Sequence, residues 1–567
     1  MESGTLSYDV KIEFGVKQEM RDGVRLSSDI YRPDAKGHFP VIVSRSPYMT
    51  VGGYQKRYDQ EAKFFVSHGY VFVVQDCRGK NDSEGSYQPF FNDHTDGFDT
   101  LDWCAKQAWS NGELGTIGAS YQAWNQWATA TLNPPNLKAM VCRVSLPDPV
   151  LNVPFQNGAL VLWMAEWMAM IDGKKNTDPS IYDTLNLLKH LPLRTMDERF
   201  GRKNSLIWQN WINHPSADEF WTPSFYENKF SQIDVPALHI SGWYDDDIIG
   251  THLNYTGMRK LGKTERSRNN QKLIIGPWPH HVNQTRRLGN IDFGESALID
   301  LRKVELDWFD YWLKGVENGI MKQPKVDIFT MGKNAWRKSD SWPLPETDYV
   351  SYFIHSNGGA NTLFGDGVLS TKSPTSDEPS DTYQYDPTDP CPNIYDATAL
   401  AAEGPFDQRP IERREDVLVY SSPALESDLD VTGPVTVKLY ASTSAPDTDF
   451  WAELTDVYPN GYSMHLTEGI IRGRYRKSLE TQELLTPGTV YEFAIDLWVT
   501  SNMFLRGHRV RVDISSSSFP KYDRNPNTGN EFGNDSFMKV AEQKVFHTEE
   551  HPSHIKLPIV RTSSGGL

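Results

Sequence analysis

The chain has few cysteines and no excess of basic residues. Its four cysteines, Cys77, Cys104, Cys142 and Cys391, are widely spaced and form no CxxC pair. This spacing supports neither a disulfide framework nor a cysteine metal site, so we expect small buried thiols. With 57 Lys and Arg against 74 Asp and Glu, the formal net charge is −17. That charge disfavours nucleic acid and anionic membranes as partners, because binding phosphates needs clustered cations.

The chain also lacks long apolar runs. It opens with MESGTLSYDV, which has neither the basic nor the apolar region of a signal peptide. No stretch of about 18 apolar residues follows, so no membrane span is expected. From the sequence we therefore predict a cytoplasmic protein without a membrane partner, and a homo-oligomer is compatible with its composition. At 567 residues the chain exceeds one hydrophobic core and should form several domains.

The order of predicted strands and helices divides the chain into zones. In 1–147 and again in 233–347, apolar runs such as FPVIVSRSPY alternate with segments of helical period. This alternation predicts the α/β class with a parallel sheet. Between these two parts, 148–232 has helical periods rich in Trp and Met, which predicts an inserted helical cap. In 348–567, strand patterns separated by turn residues predict a β-sandwich or jelly roll.

The stretch GTIGASYQAW places Ser120 between a predicted strand and a predicted helix. Gly118 and Ala119 permit the sharp turn that exposes a nucleophilic hydroxyl, and this turn brings the Tyr121 backbone N–H beside a developing oxyanion. The usual GxSxG pattern is broken, because Gln122 stands two residues after the serine. Taken alone, the stretch also fits an ordinary turn of small residues.

Two later predicted strands end in acidic residues and in histidines. HISGWYDDDIIG carries Asp245, Asp246 and Asp247, and LIIGPWPHHV carries His280 and His281. Functional groups gather at the carboxyl ends of parallel strands, and the order Ser, acid, His is the order found in α/β-hydrolases. The alternatives are a solvated acidic loop and a surface pair of histidines.

Taken together, these stretches resemble the CocE/NonD family of serine hydrolases, which includes esterases, α-amino acid ester hydrolases and relatives of X-Pro dipeptidyl-peptidases. The motifs that carry the resemblance span the chain: SRSPY, QDCRGKNDSEG, GTIGASYQAW, SGWYDD, IGPWPHH and SSSSFPKYDRNPNTG. The resemblance implies an α/β-hydrolase core with a helical cap insertion and a C-terminal all-β jelly-roll domain. One departure is Ala123, which stands where the family carries the last glycine of GxSYxG.

The resemblance also implies roles for particular residues. By motif position, Ser120 resembles the nucleophile, Asp245 the acid and His280 the base of a catalytic triad, with His281 as the alternative base. Tyr48 of SRSPY resembles an oxyanion donor that acts beside the Tyr121 N–H. The implied reaction is acyl transfer through an acyl-enzyme on a small ester, amide or short peptide, with no metal and no cofactor.

The substrate is less clearly indicated. Asp247 falls where α-amino acid ester hydrolases carry one acid of the cluster that holds a substrate ammonium, but Ile248 replaces the next acid. Glu166 on the cap is a candidate second carboxylate, and Trp163 and Trp167 are candidate pocket residues, with core packing and surface exposure as the alternatives. We therefore predict a general ester hydrolase, with an amino-acyl esterase or X-Pro dipeptidyl-peptidase as the alternative.

A non-enzymatic alternative comes from the jelly roll, since such domains also bind carbohydrate. The stretch DTDFWAELTDVYPNG offers Asp447, Asp449 and Trp451 as a candidate sugar or calcium surface. The favoured interpretation of this stretch is a strand packed against the catalytic domain.

Overall fold

The computed structural model describes residues 8–48, 54–375, 378–394 and 404–561. Its first part alternates strands and helices, because continuously apolar β-branched runs form buried strands and the segments of helical period cover them. The strands are β1 (Val10–Glu19), β2 (Arg25–Pro33), β3 (Phe39–Ser46), β4 (Val71–Asp76), β5 (Ser110–Ala119) and β6 (Leu137–Arg143), and the helices are α1 (Tyr54–Ser67), α2 (Asp93–Ala105) and α3 (Tyr121–Ala130).

A segment of short elements then interrupts the sheet. It contains the hairpin of β7 (Phe155–Gln156) and β8 (Ala159–Leu160) and the helices α4 (Met164–Ile171), α5 (Thr184–Leu187), α6 (Met196–Arg199) and α7 (Leu206–Asn213). This segment is the helical cap, and we keep 148–232 as its proposed limits. The small hairpin was not predicted from the helical pattern of the sequence.

The sheet resumes after the cap. Its further elements are β9 (Ala237–Tyr244), α8 (Ile248–Leu261), α9 (Glu265–Asn269), β10 (Gln271–Pro279), the hairpin of β11 (Arg287–Leu288) and β12 (Ile291–Asp292), α10 (Leu301–Lys314), β13 (Val326–Thr330) and β14 (Ala335–Ser339). The strand order is β1-β2-β4-β3-β5-β6-β9-β10-β13-β14. From β4 to β13 the neighbours in this order are parallel. The carboxyl ends of β5, β9 and β10 therefore meet at one edge of the sheet.

Alternate residues of one strand show how this sheet is covered. Val41 and Val43 of β3 pack into one hydrophobic core together with Trp124. Ile42, between them, packs into another core together with Trp308. Both faces of the sheet are therefore buried, as the continuous apolar runs predict.

The remaining strands form a second, all-β unit. They are β15 (Thr347–His355), β16 (Val368–Ser370), β17 (Asp381–Tyr385), β18 (Leu418–Ser421), β19 (Leu429–Thr443), β20 (Asp449–Val457), β21 (Ser463–Arg472), β22 (Tyr491–Phe504), β23 (Arg509–Ser515), β24 (Ala541–Phe546) and β25 (His554–Val560). These eleven strands are joined in one hydrogen-bonded system, the jelly roll. It contacts the core directly, since Tyr244 Oη donates a hydrogen bond to the His465 carbonyl at 3.2 Å.

The candidate sugar or calcium surface on the jelly roll is wrong. Asp447 and Asp449 are each 1% exposed, and they pair with Arg474 at 2.7 Å and Arg472 at 2.8 Å. Trp451 is also buried, and its Nε1 donates to Glu468. These side chains stabilise the interior and present no open surface to a ligand.

Two expectations from composition can be compared with the structure. All four cysteines are free and buried, as predicted. Among the residues that the structure describes, no helix is both long enough and apolar enough to cross a membrane.

Candidate active site

Ser120 lies in the sharp turn between β5 and α3. Its φ of 61° is a left-handed conformation that residues other than glycine rarely adopt. The Ser120 N–H donates to the carbonyls of Arg143 and Val144, both at 3.0 Å, at the end of β6. A Cβ on Gly118 would lie 2.5 Å from the Gln122 Cβ, so this tight turn requires glycine two residues before the serine. The turn has the strained backbone of a nucleophile elbow.

Asp245 and His280 lie side by side because β9 and β10 are adjacent and parallel. Tyr244 and Pro279, which precede them, are partners in the sheet register. His280 Nδ1 is 2.8 Å from Asp245 Oδ1. The Asp245 carboxylate is 1% exposed and also accepts a hydrogen bond from Ser241 Oγ at 2.6 Å. With Nδ1 donating to Asp245, Nε2 of His280 is the nitrogen that can accept a proton.

Two further carboxylates lie near the same imidazole. Asp246 Oδ1 and Asp247 Oδ2 are 3.8 Å and 3.7 Å from His280 Nδ1. Burial lowers the pKa of His280, but the hydrogen bond to Asp245 and the charges of the three carboxylates outweigh burial and raise it to about 10. Burial and the charge of Asp246 raise the pKa of Asp247 well above its usual range. A proton on Asp247 reduces the negative charge near His280 and so favours the neutral imidazole that a general base requires.

A cavity of about 350 Å³ lies beside Ser120. Its size and mostly apolar lining fit a small organic ligand. Core and cap both contribute to its wall. The core supplies Tyr48, Phe90, Ser120, Tyr121, Leu146, His280 and His281, and the cap supplies Val153, Trp163, Met164, Glu166, Trp167 and Met170. The serine and the histidine therefore face the same enclosed space under the cap.

The two tyrosines predicted as oxyanion donors differ in their surroundings. Tyr48 is 4% exposed and lines the cavity, and its hydroxyl accepts a hydrogen bond from Trp167 Nε1 at 3.0 Å. The Tyr121 phenol donates to Asp93 Oδ2 at 2.5 Å and accepts from the Phe90 N–H at 2.9 Å. The Tyr121 backbone N–H belongs to the first residue of α3, where helix geometry provides no acceptor within the helix. The backbone of Tyr121, rather than its phenol, is thus suited to an oxyanion.

The cap residues predicted to bind substrate lie at the cavity. Trp163, Trp167 and Glu166 all line its wall. Glu166 accepts a hydrogen bond from Thr184 Oγ1 at 3.1 Å, and burial raises the pKa of its carboxyl. The buried Nε1 of Trp163 has no acceptor among the described residues. Each of these groups can therefore interact with a bound molecule.

The acidic run after β9 divides between the cavity and the interior. Asp247, which was predicted to hold a substrate ammonium, is 1% exposed and accepts a hydrogen bond from Asn152 Nδ2 at 3.0 Å. Asp246 contributes to the cavity wall, and its Oδ2 has no hydrogen-bond partner among the described residues. The sequence analysis named Asp246 but gave it no role at the pocket, because no periodicity extends past a strand end to show which of three consecutive aspartates faces a cavity.

Ala123 stands where the family carries a glycine, and the structure accommodates its methyl group in the interior. Its side chain is completely buried, and its N–H donates to the Ser120 carbonyl at 2.8 Å in the first turn of α3. The methyl group therefore packs behind the nucleophile turn rather than into the cavity.

The fold and the site together are those of a serine hydrolase on an α/β-hydrolase core. Residues 22–282 match the family model of the X-Pro dipeptidyl-peptidases (S15 family), and 318–556 match the X-Pro dipeptidyl-peptidase C-terminal non-catalytic domain. The chain is 37% identical to the cocaine esterase of Rhodococcus sp. (strain MB1 Bresler), over 96% of this chain and 97% of that protein. It belongs to the family of serine hydrolases that these matches define, as the resemblance predicted.

Two solved structures extend the likeness over the whole chain. An aminopeptidase from the marine sediment archaeon Thaumarchaeota archaeon aligns with a TM-score of 0.86 at 28% identity, covering 99% of this chain and 98% of that one. An α-amino acid ester hydrolase aligns with a TM-score of 0.85 at 27% identity, with the same coverage. The predicted fold class, a core with a cap and a C-terminal β domain, is confirmed.

Proposed function

We propose that the chain hydrolyses small carboxylic esters through an acyl-enzyme, with Ser120 as nucleophile, His280 as base and Asp245 as the acid. The observation that carries this proposal is that Ser120 and His280 line one cavity while His280 Nδ1 lies 2.8 Å from Asp245. His280 Nε2 takes the Ser120 proton as Oγ attacks the acyl carbon. The bond to the leaving alkoxide then breaks, and His280 returns the proton to it. A water molecule then attacks the acyl-enzyme in the same way, and the carboxylic acid product is released.

The oxyanion donors in this proposal are the Tyr48 hydroxyl and the Tyr121 N–H. Trp167 fixes the position of the Tyr48 oxygen at the cavity wall. The Tyr121 N–H follows directly after the nucleophile, where a serine hydrolase places one donor. A donor of this kind contributes about 3–4 kcal/mol to the stability of the transition state. We therefore expect Tyr48→Phe to lower kcat about 10²–10³-fold with little change in KM.

The acyl group that the cavity favours is apolar and of aromatic size. Phe90, Trp163 and Trp167 supply aromatic surface, and Met164 and Met170 supply adaptable side chains. Such a wall favours a benzoyl-like or branched acyl group over acetyl, because each additional buried methylene contributes about 0.8 kcal/mol.

A second candidate substrate carries an amine on its acyl part. The two carboxylates at the cavity wall, Glu166 and Asp246, favour this candidate because either can pair with a substrate ammonium. An amino-acyl ester or an X-Pro dipeptide would present such a group. The ammonium role predicted for Asp247 stays a prediction, as do the cytoplasmic location and the homo-oligomer.

The experiment compares matched p-nitrophenyl esters with and without an α-ammonium, together with an X-Pro p-nitroanilide. Wild type, Ser120→Ala, Asp246→Asn and Glu166→Gln are assayed, with Glu198→Gln as a control because Glu198 is an exposed glutamate of the same cap. Ester hydrolysis that Ser120→Ala abolishes supports the proposal, and a Ser120→Ala enzyme that still turns over contradicts it. Preference for the ammonium ester, lost in Asp246→Asn or Glu166→Gln, would establish the second candidate.

A further inference from the structure

A second, smaller cavity connects the aspartate cluster with the jelly roll. Its volume of about 20 Å³ is enough for one water molecule. Asp245 and Asp246 of the core line it, and so do Glu468 and Lys521 of the jelly roll. Asp246 thus borders both this cavity and the large one beside Ser120. The C-terminal domain therefore extends to the immediate surroundings of the proposed triad.

Lys521 and Glu468 form a fixed, buried ion pair at this cavity. Lys521 Nζ is 2.7 Å from Glu468 Oε1, with side-chain exposures of 10% and 3%. Glu468 also accepts a hydrogen bond from Ser518 Oγ at 3.2 Å. The Lys521 carbonyl accepts the Leu162 N–H of the cap at 2.7 Å. These contacts hold the lysine in place from both sides of the domain boundary.

Asp246 is the group in the cluster that needs a compensating charge. Its Oδ2 is buried and has no hydrogen-bond partner among the described residues. An ionised carboxylate in such a position is costly unless a cation compensates it. Burial raises the pKa of Asp246, whereas the charges of His280 and Lys521 lower it. Lys521 is thus the cation that the jelly roll supplies to the cluster.

We propose that Lys521 is a positioning residue for the triad, which acts across the small cavity and sets the negative charge that the aspartates present to His280. The inference rests on the proposed triad. Its charge keeps Asp246 ionised, and an ionised Asp246 raises the pKa of His280, so Lys521 holds the proton on His280 to higher pH. The charged and titratable groups concerned are Asp245, Asp246, Asp247 and His280 of the core, and Lys521, Glu468, His465 and Glu453 of the jelly roll.

The test is the pH dependence of kcat/KM for a neutral p-nitrophenyl ester with Lys521→Met, Lys521→Arg and Glu468→Gln. Lys521→Met should move the acid limb to lower pH by about half a unit to one unit, because Asp246 then takes up a proton more readily and presents less negative charge to His280. The alkaline plateau should stay unchanged. Lys521→Arg should keep the wild-type limb, because it keeps the charge. Glu468→Gln should move the limb to higher pH, since the lysine charge is then no longer compensated and keeps Asp246 ionised more strongly.

The two variants should shift the acid limb in opposite directions, and this contrast separates an electrostatic role from a structural one. If Lys521→Met leaves the limb in place, or if Glu468→Gln moves it in the same direction as Lys521→Met, the inference is overturned. In an Asp246→Asn background, Lys521→Met should cause a smaller shift, because the carboxylate through which the lysine acts is then neutral. Lys544→Met is the matched control, since Lys544 pairs with Glu542 at 3.3 Å in the same domain and both side chains are about half exposed.

Failure of the triad itself would look different. In that case Ser120→Ala retains turnover, whatever the lysine variants do. If Ser120→Ala is inactive and the lysine variants keep the wild-type pH profile, the triad is supported and the role of Lys521 is refuted.

Discussion

Two clusters of three buried aspartates lie in different parts of this chain, and they are neutralised in different ways. In the jelly roll, Arg472 Nη2 lies 2.8 Å from Asp449 Oδ2 and 2.9 Å from Asp523 Oδ1, and Arg474 Nε lies 2.7 Å from Asp447 Oδ2. Two guanidinium groups thus serve three carboxylates, with hydrogen bonds in fixed geometry. This cluster has the features of a structural ion-pair network.

In the core, Asp245, Asp246 and Asp247 face one imidazole, that of His280. One of their oxygens, Oδ2 of Asp246, has no hydrogen-bond partner among the described residues. The cluster borders the cavity of about 350 Å³ beside Ser120, whereas the jelly-roll cluster borders a cavity of about 30 Å³. Incomplete neutralisation beside a large cavity is therefore what distinguishes the cluster that we propose to be functional.

A perturbed pKa alone would not distinguish the two clusters. Burial raises the pKa of Asp449 to about 6, although the charge of Arg472 opposes it. Burial also raises the pKa of Asp246 to about 6. Perturbed acids occur in functional sites and in structural networks alike. The type of cation, the unsatisfied oxygen and the size of the neighbouring cavity distinguish the two clusters.

The largest expected effect is that of Asp245→Asn in the core cluster. The amide cannot hold the Nδ1–H tautomer or stabilise the imidazolium, so kcat should fall about 10⁴-fold while the fold is kept. Steady-state kinetics measures kcat, and circular dichroism checks that the fold is kept. Asp523→Asn in the other cluster is the counterpart and should keep kcat per folded molecule. Equal losses of kcat in the two variants would remove the functional difference between the clusters.

The second prediction concerns Arg472→Met in the jelly roll. Removing one partner of a buried ion pair leaves carboxylates uncompensated and should lower the free energy of unfolding by about 3–5 kcal/mol. Urea denaturation measures this loss, and kcat per folded molecule should stay within about twofold. Arg561→Met is the control, because the Arg561–Asp348 pair is exposed and should leave the urea midpoint unchanged. A large loss of kcat at unchanged stability would contradict the structural assignment.

A third variant, Asp246→Asn, should change the pH profile more than the rate. Removing a negative charge close to His280 lowers the pKa of the imidazole, so the acid limb of kcat/KM should move to lower pH by about one unit. The plateau should change only a few-fold for a neutral ester. A limb that moves to higher pH would show that Asp246 does not act on His280 as a charge.

The order of elements and the residues at strand ends could be predicted from the sequence. Continuous apolar runs predict buried strands, and parallel strands bring their carboxyl ends together, so Ser120, Asp245 and His280 follow from pattern and motif. All three lie at the carboxyl ends of strands in one sheet, and His280 rather than His281 forms the described pair with Asp245. Strand pairing sets these positions, and the strands that pair are visible in the sequence as apolar runs.

What could not be predicted depends on contacts between distant segments. Asp447 and Asp449 looked like a ligand surface because the arginines that neutralise them lie about 25 residues further along the chain. Lys521 lies more than 270 residues from Asp246, and no local pattern links the two. Which aspartate of a run of three faces a cavity is decided by the turn after β9. These features follow from the packing of domains, which single-sequence periodicity does not report.

The smallest predicted effect concerns a carboxyl pair that is bound to backbone rather than to a cation. Where the cap leaves and rejoins the core, the Asp148 N–H donates to Glu227 Oε1 at 3.0 Å and the Tyr226 N–H donates to Asp148 Oδ1 at 2.7 Å. Burial raises the pKa of Asp148 to about 7, and burial with the charge of Asp148 raises that of Glu227 to about 8. The folded state therefore holds more protons than the unfolded state from about pH 4 to pH 8.

Stability should accordingly fall as the pH rises through this window, because a raised carboxyl pKa stabilises the fold only while the proton is bound. Glu227→Gln keeps an acceptor oxygen and removes the second charge, so it should flatten this decline and be about 1 kcal/mol more stable than wild type at pH 8. Urea midpoints from pH 5 to pH 9 measure the slope, with the exposed Glu198→Gln as control. Parallel slopes for wild type and Glu227→Gln would mean that this pair, like the arginine-bound cluster, is fully compensated by its neighbours.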